Sequence, residues 1–145
     1  MDRFQEILWD LGELTEMPLH ADKNRACKLL LEGSITLQIE MDDTKDRLLI
    51  AGIITEIPAG KFRENVLKET LKANSTYHPF GVFSYIEKIN SLVLFNELVA
   101  SEITGEKLLD FLETFIEEAD SWRLAITSGQ AAPLKYLSIK REPLP

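Results

Sequence analysis

The run Ile35-Thr36-Leu37-Gln38-Ile39-Glu40-Met41 alternates apolar and polar residues without a break. A strand with one face on a core requires that pattern, and an amphipathic helix does not. Glu32-Gly33-Ser34 precedes the run and Asp42-Asp43-Thr44-Lys45-Asp46 follows it, both rich in turn residues. Residues 26–57 therefore read as an antiparallel meander of three strands. Its third run, Leu48-Leu49-Ile50-Ala51-Gly52-Ile53-Ile54, is apolar at both parities, so both sides of that strand require cover.

Helical spacing surrounds this meander. In residues 2–14 Phe4, Ile7, Leu8 and Leu11 share one face, and Asp2 suits the positive end of the helix dipole. Trp9 lies well off that stripe. It is either the edge of a wide apolar face or a surface anchor for a partner. Met17-Pro18 stops the helix, and Ile57-Pro58-Ala59-Gly60 separates the meander from a second helix at residues 61–74. In that helix Phe62, Val66 and Ala73 fall on one line, while Leu67 and Leu71 lie well over ~100° away at ~3.6 residues per turn. A single small core does not readily take both flanks. One flank then serves the protomer and the other a second subunit, unless the helix is sandwiched inside one domain.

After Pro79, the runs Gly81-Val82-Phe83-Ser84-Tyr85-Ile86-Glu87 and Leu92-Val93-Leu94-Phe95-Asn96-Glu97-Leu98-Val99 read as a hairpin. Thr104 caps a long last helix with Leu108, Leu112, Phe115, Ile116, Ala119 and Ile126 in one stripe and Trp122 near it as a core residue. Beyond Ser128, Gly129, Pro133, Pro143 and Pro145 argue against a regular element, although Leu134, Tyr136, Leu137 and Ile139 offer apolar side chains for docking. The reading is one α+β domain over residues 1–127, followed by a tail at 128–145. Its fold class is an antiparallel sheet of five to six strands with three helices, in the order α-β-β-β-α-β-β-α.

Composition and motifs narrow the function. At 145 residues the chain suits one domain with a real core, burying roughly 70% of its unfolded surface. The formal charge of −8, from 24 acidic and 16 basic residues, repels phosphates and anionic lipid, so neither nucleic acid binding nor membrane insertion is expected. Cys27 is the only cysteine, which leaves no disulfide framework and fits a reducing cytosol. With no signal-peptide pattern and no apolar run near ~18 residues, a cytoplasmic protein is expected.

Gly52 and Gly60-Lys61 miss the phosphate-loop spacing, and Phe62 replaces the hydroxyl residue that would hold magnesium. Asp42, Asp43 and Asp46 lack the glycine and bidentate glutamate of a calcium loop and read as a solvated turn. His20 and His78 have no nucleophile or second ligand at a useful spacing. The pairs Glu113/Glu117 and Glu117/Glu118 read as the solvated face of the last helix. No catalytic residue, metal or cofactor is expected.

Taken in order, several pieces resemble a known family. They are Ile39-Glu40-Met41-Asp42-Asp43, Leu48-Leu49-Ile50-Ala51-Gly52, Ile57-Pro58, the stretch from Val66-Leu67-Lys68 to Leu71-Lys72-Ala73-Asn74, and Gly81-Val82-Phe83-Ser84-Tyr85. Leu92-Val93-Leu94, Leu108 to Phe115 and Ala119-Asp120-Ser121-Trp122 continue the pattern. Over roughly residues 2–126 the chain resembles class I type III secretion chaperones, the Tir-chaperone-like proteins. Gly105-Glu106-Lys107-Leu108 with Trp122 is similar to chlamydial members.

The resemblance implies a bacterial, non-enzymatic dimer that binds an extended N-terminal segment of a secreted effector and presents it to the export apparatus. A homodimer is expected, with a heterodimer with a related chaperone as the alternative. The expected effector contacts are Leu8, Trp9, Leu29, Leu31, Ile35 and Leu37, each with core packing as the competing role. Leu67, Leu71, Phe83 and Tyr85 are the expected dimer face. The competing class is a non-enzymatic α+β adaptor or regulatory domain for a folded protein or a small ligand. Few glycines mark the hairpins, as at Lys88-Ile89-Asn90, where the resemblance leaves the turn geometry open.

Overall fold

A computed structural model of the chain describes residues 2–76 and 79–138, so His78 and Ile139 lie outside the described residues. The elements are α1 (Arg3–Thr15), β1 (Ala26–Leu30), β2 (Thr36–Asp42), β3 (Arg47–Glu56), α2 (Lys61–Asn74), β4 (Val82–Ile86), β5 (Ser91–Val99), α3 (Gly105–Thr127) and α4 (Leu134–Ser138). The strands form one antiparallel sheet of five, in the order β1-β2-β3-β5-β4. The α-β-β-β-α-β-β-α order expected from sequence is the one found, with α4 added.

Local chemistry fixes the element ends. Asp2 accepts from the Gln5 backbone N–H at 2.9 Å, while the Gln5 side chain accepts from the Asp2 N–H at 3.0 Å, a reciprocal cap that starts α1. Thr104 accepts from the Lys107 N–H at 3.2 Å and starts α3. Of the three hairpin turns, β1–β2 uses Gly33 (φ 69°), while Asp46 (φ 53°) and Asn90 (φ 49°) take the left-handed backbone at β2–β3 and β4–β5. Asp and Asn tolerate that conformation better than other side chains, so these last two hairpins turn without glycine.

On one face of the sheet Leu37, Ile39, Leu48, Ile50, Leu92 and Leu94 are buried beneath α1 and α3. Close approach sets this layer. A Cβ on Gly52 would stand 3.0 Å from Phe115 Cε1, and one on Gly105 would stand 2.6 Å from Asp10 Cβ, so α3 presses on β3 and begins against α1. Ile35 belongs to this core at 1% exposure, with its Cδ1 beside Gly52. The opposite face of β3 is a different matter. Leu49, Ala51 and Ile53 are only half-buried, and they line a concavity of about 750 Å³ on the helix-free side, together with Val82 and Phe95. Within one chain, cover is supplied on one side only.

α2 lies beside β4. Val66 and Ala73 are buried, Leu67 is half-buried and Leu71 is 66% exposed, so this helix is not sandwiched inside the domain. After α3 the chain turns back and α4 docks. Ala132 and Pro133 are buried, and the Tyr136 ring lies 5.2 Å from that of the fully buried Trp122, whose other side meets Phe83 at 4.6 Å.

Glu118 corrects the expectation of a uniformly solvated acidic face. It is 3% exposed, one turn before Trp122, and accepts from Trp122 Nε1–H at 3.2 Å, Lys135 Nζ at 2.7 Å and the Tyr136 hydroxyl at 2.6 Å. Burial pushes its carboxyl up, but Lys135, Tyr136 and Trp122 outweigh burial and hold it below the ordinary range. The same contact and burial raise the Tyr136 phenol.

Candidate functional site

The two edges of the sheet are β4 and β1. In an antiparallel ladder every second residue of an edge strand points its N–H and C=O away from its neighbour. On β1 backbone hydrogen bonds join Met41 N–H to the Arg25 carbonyl at 3.0 Å and Leu31 N–H to the Ile35 carbonyl at 3.2 Å, which places Ala26, Lys28 and Leu30 outward. Asp22 occupies Ala26, its carboxylate accepting from the Ala26 N–H at 3.1 Å and its own N–H donating to the Ala26 carbonyl at 2.8 Å. The outward backbone groups of Lys28 and Leu30 have no partner among the described residues, and the Leu30 side chain is 87% exposed. Such an edge is a template for another extended chain.

Beside this edge, on the helix side of the sheet, runs a groove of about 110 Å³ between the end of α1, β1 and α3. Leu29, Leu31, Leu37, Leu109 and Ile116 line it, with Met17 and Leu19 from the loop after α1. Met17 and Leu19 also belong to an adjoining hollow of about 430 Å³ around Leu8 and Trp9. Trp9 is 56% exposed, so its ring is on the surface. Glu13 and Glu16 flank the hollow and Glu113 flanks the groove, all exposed. Burial pushes the nearby Cys27 thiol up, away from the reactive thiolate, and His20 is an exposed loop residue.

The expected contact residues thus separate. Leu29, Leu31 and Trp9 line open surface; Leu8 and Leu37, each 1% exposed, form its floor; Ile35 is core and takes no part. These floor and core residues were selected by the same apolar alternation that builds the interior, and alternation does not separate a wall from a core. The sequence reading missed Met17 and Leu19, which Pro18 disguised as a plain helix stop, and Leu30, the outward residue of β1.

The model of the Tir chaperone protein (CesT) family matches residues 6–123, most of the chain. This chain belongs to the Tir chaperone family. No curated protein sequence matches it. Solved structures share the fold at low identity. The ExsC–ExsE complex superposes with a TM-score of 0.75 at 18% identity, covering 87% of this chain and 97% of that one. The HopA1–SchA chaperone–effector complex gives a TM-score of 0.68 at 20% identity, covering 85% and 94%. The Yersinia pestis type III secretion chaperone SycH, in complex with a fragment of YscM2, gives 0.60 at 9%, covering 80% and 96%. The likeness to chlamydial members finds no support in these matches.

Family membership makes the expected dimer face worth placing residue by residue. Phe83 is 4% exposed against Trp122, and Tyr85 is half-buried with the Arg63 guanidinium 5.2 Å from its ring centre. Both side chains face the helix layer. Phe83 is therefore core in this Tir chaperone family member, and the parity that faces outward on β4 is that of Val82, 59% exposed. Leu71 on α2 is the exposed residue of the expected set. No helix among the described residues is long and apolar enough to cross a membrane.

Proposed function

We propose that this protein is a non-enzymatic type III secretion chaperone that holds the N-terminal segment of an effector in extended form on the β1 edge. The carrying observation is the pair of unpartnered outward backbone positions, Lys28 and Leu30, beside a groove walled by Leu29, Leu31 and Ile116. Strand addition satisfies those backbone groups, and alternate side chains of the added strand reach the groove. The matched complexes of chaperones with their partners support the reading.

The free protein acts as a cytoplasmic dimer and delivers its client to the export apparatus. A second copy covers the apolar surface that one protomer leaves open, Leu67 and Leu71 on α2 with Val82 and Phe95 on the helix-free sheet face. Light scattering on the eluting protein distinguishes a homodimer, a heterodimer with a related chaperone, and a monomer. Leu67→Asp with Leu71→Asp is expected to give monomer, and an unchanged dimer removes α2 from the interface. For the client, co-expression with the products of neighbouring genes followed by limited proteolysis is expected to protect an N-terminal segment of a captured effector. Capture of a folded partner with no protected extended segment supports the adaptor class instead.

A further inference from the structure

We infer that the client segment is basic as well as apolar: extended, with aliphatic residues at alternate positions and lysine or arginine at the ends of that same groove-facing set. This rests on the edge-pairing reading above and specifies what that edge selects. Some carboxylates of the fold are paired with a cation of their own chain, Asp2 and Asp43 with Arg25, Asp120 with Arg123 and Glu118 with Lys135, while Asp22, Asp42 and Asp46 hold turns through hydrogen bonds. The lining of the groove and the adjoining hollow carries acids and neither lysine nor arginine. Glu13 and Glu16 on the α1 side and Glu113 on the α3 side are exposed and have no ion-pair partner among the described residues. The nearest strand cation, Lys28, shares the parity of Leu30 and stands on the opposite face of the sheet from Leu29 and Leu31.

A strand paired to Lys28 and Leu30 has a side-chain period of two, so one set of side chains enters the groove and those at the ends of the paired stretch pass its rim. Neutral or acidic residues there gain nothing or meet repulsion. Each exposed carboxylate contributes little alone, and the three together give about a tenfold preference for a basic segment at low salt. The preference fades at molar salt, where screening reaches to about 3 Å.

The probes are synthetic peptides with leucine and isoleucine at the central groove-facing positions, lysine, serine or glutamate at the two ends of that same alternate set and threonine at the other parity, titrated by fluorescence anisotropy. The lysine peptide is expected to bind about tenfold tighter than the serine peptide, and the glutamate peptide weakest. Glu13→Gln, Glu16→Gln and Glu113→Gln together bring the lysine peptide to the serine level without changing the serine peptide. Glu56→Gln, Glu87→Gln and Glu97→Gln together, outside the groove, leave the preference in place. Equal binding of lysine and serine peptides overturns the inference, as does loss of the preference in the distant triple variant, which makes it a net-charge effect. If no peptide binds, or Leu30→Pro leaves the serine peptide's affinity unchanged, the edge-pairing reading itself falls and takes this inference with it.

Discussion

At the β4 edge the side-chain amide of Asn74 takes the place of a neighbouring strand, donating to the Phe83 carbonyl at 2.9 Å and accepting from the Phe83 N–H at 2.8 Å. Phe83 itself is locked under Trp122, and Tyr136 locks Trp122 from the other side through the Glu118 carboxylate. At the β1 edge the equivalent groups of Lys28 and Leu30 have no partner among the described residues, and Leu30 stands in solvent. Asn74 and the packing of Phe83 therefore close β4 at its middle, whereas on β1 Asp22 closes only the Ala26 end and leaves Lys28 and Leu30 open. A free edge risks aggregation, so one left open beside an apolar groove marks a place where another chain belongs.

The comparison breaks most visibly at Phe83. Phe83→Ala removes a buried ring from the closed edge and is expected to cost about 3–5 kcal/mol in urea unfolding. A cost below ~1 kcal/mol would mean that the β4 edge is not packed as described. Next in size, Asn74→Ala strips both outward groups of Phe83 of their partner and is expected to cost about 1–3 kcal/mol, read from the same unfolding curves.

The Glu118 contact sharpens the comparison through pH. Its folded-state value lies below the ordinary 4.5, so its contribution is present above that value and is lost as pH falls through the lowered one. Tyr136 is raised above its ordinary 10.0, so its contribution is present below that value and is lost as pH rises toward the folded one. In a Trp9→Phe background, Trp122 fluorescence is expected to report α4 docked between those limits. Lys135→Ala removes the cation that offsets burial, so the acid transition is expected to move to higher pH. An unmoved transition would show that Lys135 does not hold the carboxylate. The smallest effect on stability belongs to the open edge: Leu30→Ser is expected to change unfolding by less than ~0.5 kcal/mol while weakening client capture.

How much of this was legible in the chain depends on whether the signal was local. The β2 alternation, the span of α2 and the Thr104 cap are written in adjacent residues and stand where the spacing puts them. The face of β4 was not, because Val82, Phe83, Tyr85 and Ile86 are apolar at both parities and only packing against Trp122 decides between them. Glu118 sits among acids, and its burial follows from a segment that returns from beyond Gly129 with Lys135 and Tyr136. Of the candidate surface, Trp9, Leu29 and Leu31 were found by surplus hydrophobicity. Leu30 was hidden because an outward backbone group has no sequence signature.

Amide hydrogen exchange at single-residue resolution, on the protein alone and with a bound client segment, tests the open edge directly. The Lys28 and Leu30 amides are expected to exchange freely in the unbound protein and to become protected on binding, with Phe83 protected in both states. Protection of Lys28 and Leu30 before any client is added, or binding that leaves both exchanging freely, would contradict the account.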